Sequence, residues 1–210
     1  MEPLILYLVL FFPVGAAPAG VIPFSMLREL GRTISYTIPS LALIWYLIPE
    51  KKGFSALKEE KFHKRDIFPL VTGLPALIII GLFVSFLASF FSGYPDLAVP
   101  SKVEAPAAVS GWIVMFFSCL GTGYLEESYF RYYLLTRLEA SVPGAVLRIF
   151  ISTVLFSLCH AYEGPWGIVN ALLAGIILSV LFLRFRSLHG IALAHGGYNI
   201  FVYVMGIFIV

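Results

Sequence analysis

Runs of about twenty mainly apolar residues follow one another along almost the whole chain, and this most restricts what it can fold into. A helix needs roughly 20 such residues to cross the hydrocarbon core of a bilayer. Measured this way, the sequence offers spans at about 4–24, 33–49, 67–92, 110–138, 145–162, 165–184 and 188–209. Only 12% of the 210 residues are charged and 60% are hydrophobic, against about 25% charged in soluble domains. The fold expected is an all-α polytopic membrane protein of about seven helices, six to eight, in one bundle. The net charge of only +2 and basic residues clustered rather than spread over a face give no nucleic-acid footprint.

The amino-terminal "MEPLILYLVLFFPVGAAPAG" has the apolar core and small residues of a secretory signal. It carries Glu2 and no Lys or Arg, so retention as a first span is expected. Pro39 in the second span and Pro69 and Pro75 in the third predict tilts and kinks. Residues 50–66, "EKKGFSALKEEKFHKRD", form the one strongly polar stretch and read as a solvated loop or surface helix beside the membrane, with His63 in water. The Pro- and Ala-rich "SGYPDLAVPSKVEAPAA" reads as a loop on the opposite side. It divides residues 1–109, with few polar groups in their spans, from a core at 110–210 that has many.

Basic residues orient the bundle. Lys51, Lys52, Lys58, Lys61, Lys64, Arg65, Arg137, Arg148, Arg184 and Arg186 fall in loops on one side, and only Arg28, Arg32 and Lys102 on the other. The positive-inside rule makes the first side cytoplasmic, with the N-terminus inside and the C-terminus outside.

Against this background Glu126, Glu127, Arg131, His160, His195 and Asn199 are costly. Ionisable groups at membrane depth cost about 2.5 kcal/mol or more each, so they face the bundle interior, pair, and mark a functional path. Glu127 and Arg131 stand at i and i+4, acid first, the favourable order for an ion pair on one face. Glu126 lies about 100° further round the helix and is left free to titrate or to hold a water. His195 and Asn199 share a face of the last span, and Gly196 and Gly197 beside them permit close helix approach. Phe156 and His160 repeat the spacing on the fifth. His189, at the start of the last span, reads as interfacial.

These stations meet only under one condition. If the fourth helix continues through "SYFRYYLLTRL" to Leu138, Glu126 lies about 18 Å from its cytoplasmic end, His160 at a similar depth, and His195 about 10 Å in. A shared site open to the cytoplasmic side therefore requires a long fourth helix.

Two chemistries fit. A carboxylate and an imidazole can activate one water, opposite an imidazole and amide that steady an oxyanion. Alternatively Glu126, Glu127, His160 and His195 could supply a zinc ligand set, although no HExxH spacing is present. Cys119 and Cys159 lie in apolar runs and read as small hydrophobes rather than as a disulfide. Cys159 is set aside as a nucleophile because adjacent helical positions do not face each other.

The motifs Glu-Glu-x-x-x-Arg at 126–131, Phe-x-x-x-His at 156–160 and His-x-x-x-Asn at 195–199 resemble those of the CPBP family, the CAAX proteases and bacteriocin-processing enzymes also called Abi proteins. The resemblance covers about residues 110–205 and implies an intramembrane endopeptidase acting on prenylated CAAX-like or bacteriocin precursor substrates, with the bilayer and a peptide or lipidated protein as partners. It assigns Glu126 and His160 to the water, His195 and Asn199 to the oxyanion pocket, and Glu127 and Arg131 to support. It implies no cofactor, or zinc in the metal-dependent view of the family. Tyr132 and His189 replace the Gly and Trp common in relatives. A non-enzymatic bacteriocin-immunity or scaffold protein is the alternative. An ion-coupled carrier should show inverted repeats, and none is visible.

Overall fold

A computed structural model describes residues 2–12, 23–48, 61–91 and 103–208. Seven helices lie among them, with no strand. Helix α1 is Glu2–Leu10. Helix α2 joins Met26–Arg32, a π segment Thr33–Thr37 and Ile38–Leu47. A 3-10 turn at Lys64–Asp66 leads into α3, Ile67–Ser89. Helix α4 joins Val109–Glu127, a π segment Ser128–Leu135 and Thr136–Leu138. Helix α5 is Ala145–Leu158, α6 is Pro165–Phe185 and α7 is Leu188–Phe208.

Three helical stretches, Lys64–Ser89, Pro165–Phe185 and Leu188–Phe208, are long and apolar enough to cross a membrane. On α3 the side chains of Val71, Ile79, Leu82, Phe83 and Phe86 are exposed, a continuous apolar face that water would not tolerate. The chain is an integral membrane protein.

The long fourth helix required for a shared site is present: α4 runs to Leu138 without a break. Other boundaries differ from expectation. The first span was expected over 4–24, but α1 stops at Leu10 and turns at Phe11, since Pro13 disfavours helical geometry in the residue before it. Residues 13–22 lie outside the described part, as do 49–60 of the polar loop. Helix α2 begins at Met26 rather than 33, capped by the Ser25 hydroxyl, which accepts from the Arg28 N–H at 3.3 Å. The fifth span was expected to reach 162, but α5 ends at Leu158, and its 14 residues are about 21 Å long. A turn and the 3-10 segment Ala161–Glu163 follow, ending at Gly164, whose φ of 83° suits glycine. His160 therefore sits in a turn rather than inside a helix.

Helix α7 packs against α4 and α3, while α5 packs on α6 and on the π segment of α4. The α4–α7 crossing positions the site. A Cβ on Gly123 would lie 2.6 Å from the Gly196 backbone nitrogen, and one on Gly196 would lie 2.9 Å from Leu120 Cα. Backbone faces backbone, so neither helix can yield by a rotamer change. Gly123→Ala should therefore cost about 1–3 kcal/mol through forced separation and pull α7 from α4. A reduced unfolding midpoint in detergent, with activity lost in proportion, would show it; an unchanged midpoint would refute the close crossing.

The core centres on α4. Tyr129, Phe130, Tyr133 and Leu134 pack with Tyr7 and Phe11 from the amino-terminal segment, Ile44 from α2 and Phe156 from α5. Phe11 stacks within 4.7 Å of Tyr129 and 5.0 Å of Phe130. Tyr129 donates its hydroxyl to the Pro3 carbonyl at 2.6 Å, and Tyr133 donates to Glu2 at 2.8 Å. Tyr132 fills the space between Trp45 and Phe182. Its bulk thus joins α2 to α6.

Candidate active site

Both carboxylates close the α-helical part of α4, one residue before its π segment. A π turn admits one more residue per hydrogen-bonded ring than an α turn, and here it carries Arg131 four positions beyond Glu127. Arg131 is fully buried, and its Nη1 donates to Glu127 Oε1 at 2.9 Å. Its Nη2 donates to the Gly175 carbonyl of α6 at 3.3 Å. The guanidinium carbon stands 4.3 Å from the centre of the Phe156 ring, so a cation–π contact on α5 completes its surroundings. The ion pair foreseen from spacing is present, and it ties α4 to both α5 and α6.

The second partner of Glu127 was not foreseen. His195 Nδ1 lies 2.8 Å from the same Oε1, and His195 Nε2 lies 3.5 Å from Glu126 Oε2. Two carboxylates 100° apart on one helix both face inward because one imidazole, with nitrogens on opposite edges, reaches each of them. Glu127 Oε1 accepts from Arg131 and from His195, which puts the proton on Nδ1 and fixes the ring. A separation of 3.5 Å exceeds a direct hydrogen bond. Glu126 Oε2 is buried and makes no hydrogen bond among the described residues.

The sequence reading turned Glu126 toward His160 and left His195 to Asn199. The geometry joins Glu126 and Glu127 through His195 instead. His160 Nδ1 donates to the Phe156 carbonyl at 2.9 Å, and its ring lies 4.7 Å from the Phe156 ring, which is itself 5.7 Å from His195. Phe156 thus stands between both imidazoles and Arg131. No hydrogen bond connects His160 or Asn199 to Glu126 among the described residues. Asn199 lies half-buried one turn beyond His195.

Cys159 also departs from expectation. Its Sγ is 3.3 Å from His160 Nδ1, because α5 has already ended and the turn brings neighbouring side chains together. The thiol is free, and it donates to the Phe156 carbonyl at 2.9 Å. His189 accepts or donates at Nδ1 to the Tyr124 hydroxyl at 3.0 Å, and His63 is exposed beside the 3-10 turn.

The proposed zinc set fits this arrangement poorly. No three His, Cys, Asp or Glu side chains among the described residues are placed to hold a metal ion. Glu127 Oε1 is already shared between Arg131 and His195.

Sequence reasoning missed Gly175, whose carbonyl receives Arg131, and the bridging role of His195. The first carries a signal, a glycine inside an apolar helix; a Cβ there would meet Thr153, Phe156 and Arg131 at 3.0–3.4 Å. The second depends on the α4–α7 crossing and has no local signature.

No curated protein and no solved structure matches the chain. Residues 108–201 match the family model described as Rce1-like, type II CAAX prenyl endopeptidase Rce1-like. That stretch runs from the start of α4 into α7 and contains Glu126, Glu127, Arg131, His160, His195 and Asn199. The three motifs and the family model coincide on the helices that build the site, and over residues 108–201, a little under half of the chain, the sequence is similar to the Rce1-like type II CAAX prenyl endopeptidases.

Proposed function

We propose that the chain is an intramembrane endopeptidase that hydrolyses a peptide bond near the lipidated, CAAX-like end of a membrane-associated substrate. The observation that carries this is the imidazole of His195 held between two carboxylates by a fully buried Arg131. An assembly this costly in a bilayer is kept where it works.

Glu126, whose Oε2 lacks a protein partner, is the base that takes a proton from the attacking water, with His160 as its second contact. His195 and Asn199 donate to the oxygen of the tetrahedral intermediate. Glu127 and Arg131 do not touch substrate; they orient His195, as a buried acid orients a catalytic histidine. The water is activated without metal, and the helices form a seven-span bundle with the N-terminus in the cytoplasm and the site open to that side.

The test is cleavage of a synthetic prenylated peptide by purified protein in liposomes, with and without a divalent-metal chelator. Cleavage that survives chelation and metal-free dialysis is the expected result. Loss on chelation with recovery on adding zinc would replace the metal-free mechanism, and absence of cleavage across prenylated and unprenylated peptides would remove the enzymatic reading.

A further inference from the structure

Helix α1 lies on the face of α4 that leads to Glu126. Glu126, Tyr129, Phe130 and Tyr133 stand at i, i+3, i+4 and i+7, the spacing of one helical stripe, with the carboxylate at one end and the aromatic rings running from it toward Leu138. All three rings are buried, and α1 lies over them. The Tyr7 ring stands edge to face with Phe130 at 6.3 Å, and Phe11 closes over Tyr129 and Phe130. Leu6 and Leu10 join the same cluster as Tyr36 of α2 and Leu155 of α5. Helix α1 therefore fills the groove between α2 and α5.

Its lower end is tied to the Arg137 end of α4, cytoplasmic in the orientation proposed above: Glu2 Oε1 lies 3.8 Å from Arg137 Nη2. From there α1 rises about 12 Å to Leu10. The Leu10 carbonyl accepts the Tyr36 hydroxyl at 2.5 Å, and that hydroxyl is within electrostatic reach of Glu126. A peptide moving along the stripe from the cytoplasmic membrane face thus meets α1 before it meets Glu126. The hold on α1 is slight. Its outer residues Leu4, Ile5, Leu8 and Val9 are exposed and lie against acyl chains as apolar as the groove, so no hydrophobic force presses the helix inward. Side-chain packing and three tyrosine hydroxyls fix it instead: Tyr36 on Leu10, Tyr129 on the Pro3 carbonyl and Tyr133 on Glu2.

We propose that α1 is an autoinhibitory strap: it occupies the groove that a membrane-anchored peptide enters to reach Glu126, and the peptide displaces it into the lipid. This rests on the endopeptidase reading above. The strapped form admits no peptide, so the apparent affinity of the protein is its intrinsic affinity reduced by the fraction of molecules with α1 released. Tyr129 and Tyr133 act as latches. They touch α1 and not the reacting atoms, so they set how often the groove is open and leave the rate of the bound complex alone.

The latch is tested with Tyr129→Phe, Tyr133→Phe and the double variant, which keep the rings and remove the hydroxyls. Each single change should lower KM for a prenylated peptide in liposomes by about 3- to 10-fold, the range for one hydrogen bond between membrane helices, with kcat as in the unaltered protein. The double variant should lower it further. Loss of packing alone predicts the opposite sign, weaker or slower cleavage. Displacement is read separately by the distance between spin labels at Leu4→Cys on α1 and Val146→Cys on α5, both exposed positions. The labelled chain is otherwise entire, carries Glu126→Gln to prevent turnover and has Cys119→Ala and Cys159→Ala to remove the native thiols. Adding the prenylated peptide in nanodiscs should lengthen that distance. A KM unchanged or raised in both single variants, or a label distance that the peptide does not move, would each overturn the strap. Lengthening on peptide addition without cleavage by the unaltered protein would instead sink the endopeptidase reading and leave α1 as a displaceable cover.

Discussion

Glu126→Gln is expected to lower kcat for cleavage of a prenylated peptide by about 100- to 10,000-fold, the usual contribution of a positioned general base, while KM and the unfolding midpoint stay near those of the unaltered protein. The carboxamide keeps the size of the side chain and can still face His195 Nε2 across 3.5 Å, but it cannot take a proton from water. Single-turnover cleavage in liposomes separates this from slow product release. Glu127→Gln should behave differently. Its Oε1 accepts from Arg131 and His195 together, so loss of the charge loosens both and lowers activity and stability at once. Wild-type rates from Glu126→Gln would end the water-activation role. A biological effect that outlived loss of cleavage would favour the immunity or scaffold alternative.

Arg131→Met should destabilise the protein by about 3–5 kcal/mol, the cost of stranding a buried charge by removing one partner. Three contacts disappear together: the 2.9 Å bond to Glu127, the 3.3 Å bond to the Gly175 carbonyl and the cation–π contact with Phe156. Adding Glu127→Gln should return much of the loss, because the uncompensated carboxylate is then gone, without restoring cleavage. Unfolding by a strong detergent in mixed micelles measures this double-mutant cycle. Additive losses in the cycle would show that Glu127 and Arg131 are not energetically one unit.

Hydropathy made the helices legible, and i, i+4 spacing made the Glu127–Arg131 pair legible, because both rest on local periodicity. The continuous α4 was legible for a different reason: Glu126 and His160 could reach a common depth only if that helix ran to Leu138. The partner of Glu126 was not legible. Which imidazole it meets depends on the rotation of α7 against α4, and that rotation is set by Gly123 meeting Gly196 across the crossing. Glycines at a helix contact announce closeness but not angle. The placement of Cys159 beside His160 was not legible because the apolar run suggests a helix to 162, whereas α5 stops at Leu158. The seat of α1 on α4 was invisible because Tyr36, Tyr129 and Tyr133 lie far from it in the chain and only packing brings their hydroxyls to it.

Helix α5 has a consequence for the lipid. At about 21 Å it is shorter than the roughly 30 Å hydrocarbon core, and the turn bearing His160 follows at once. Acyl chains beside it must shorten or tilt to avoid exposing that turn's backbone. Set across a bilayer, α5 makes the hydrocarbon beside the turn that bears His160 several ångströms thinner than elsewhere around the bundle.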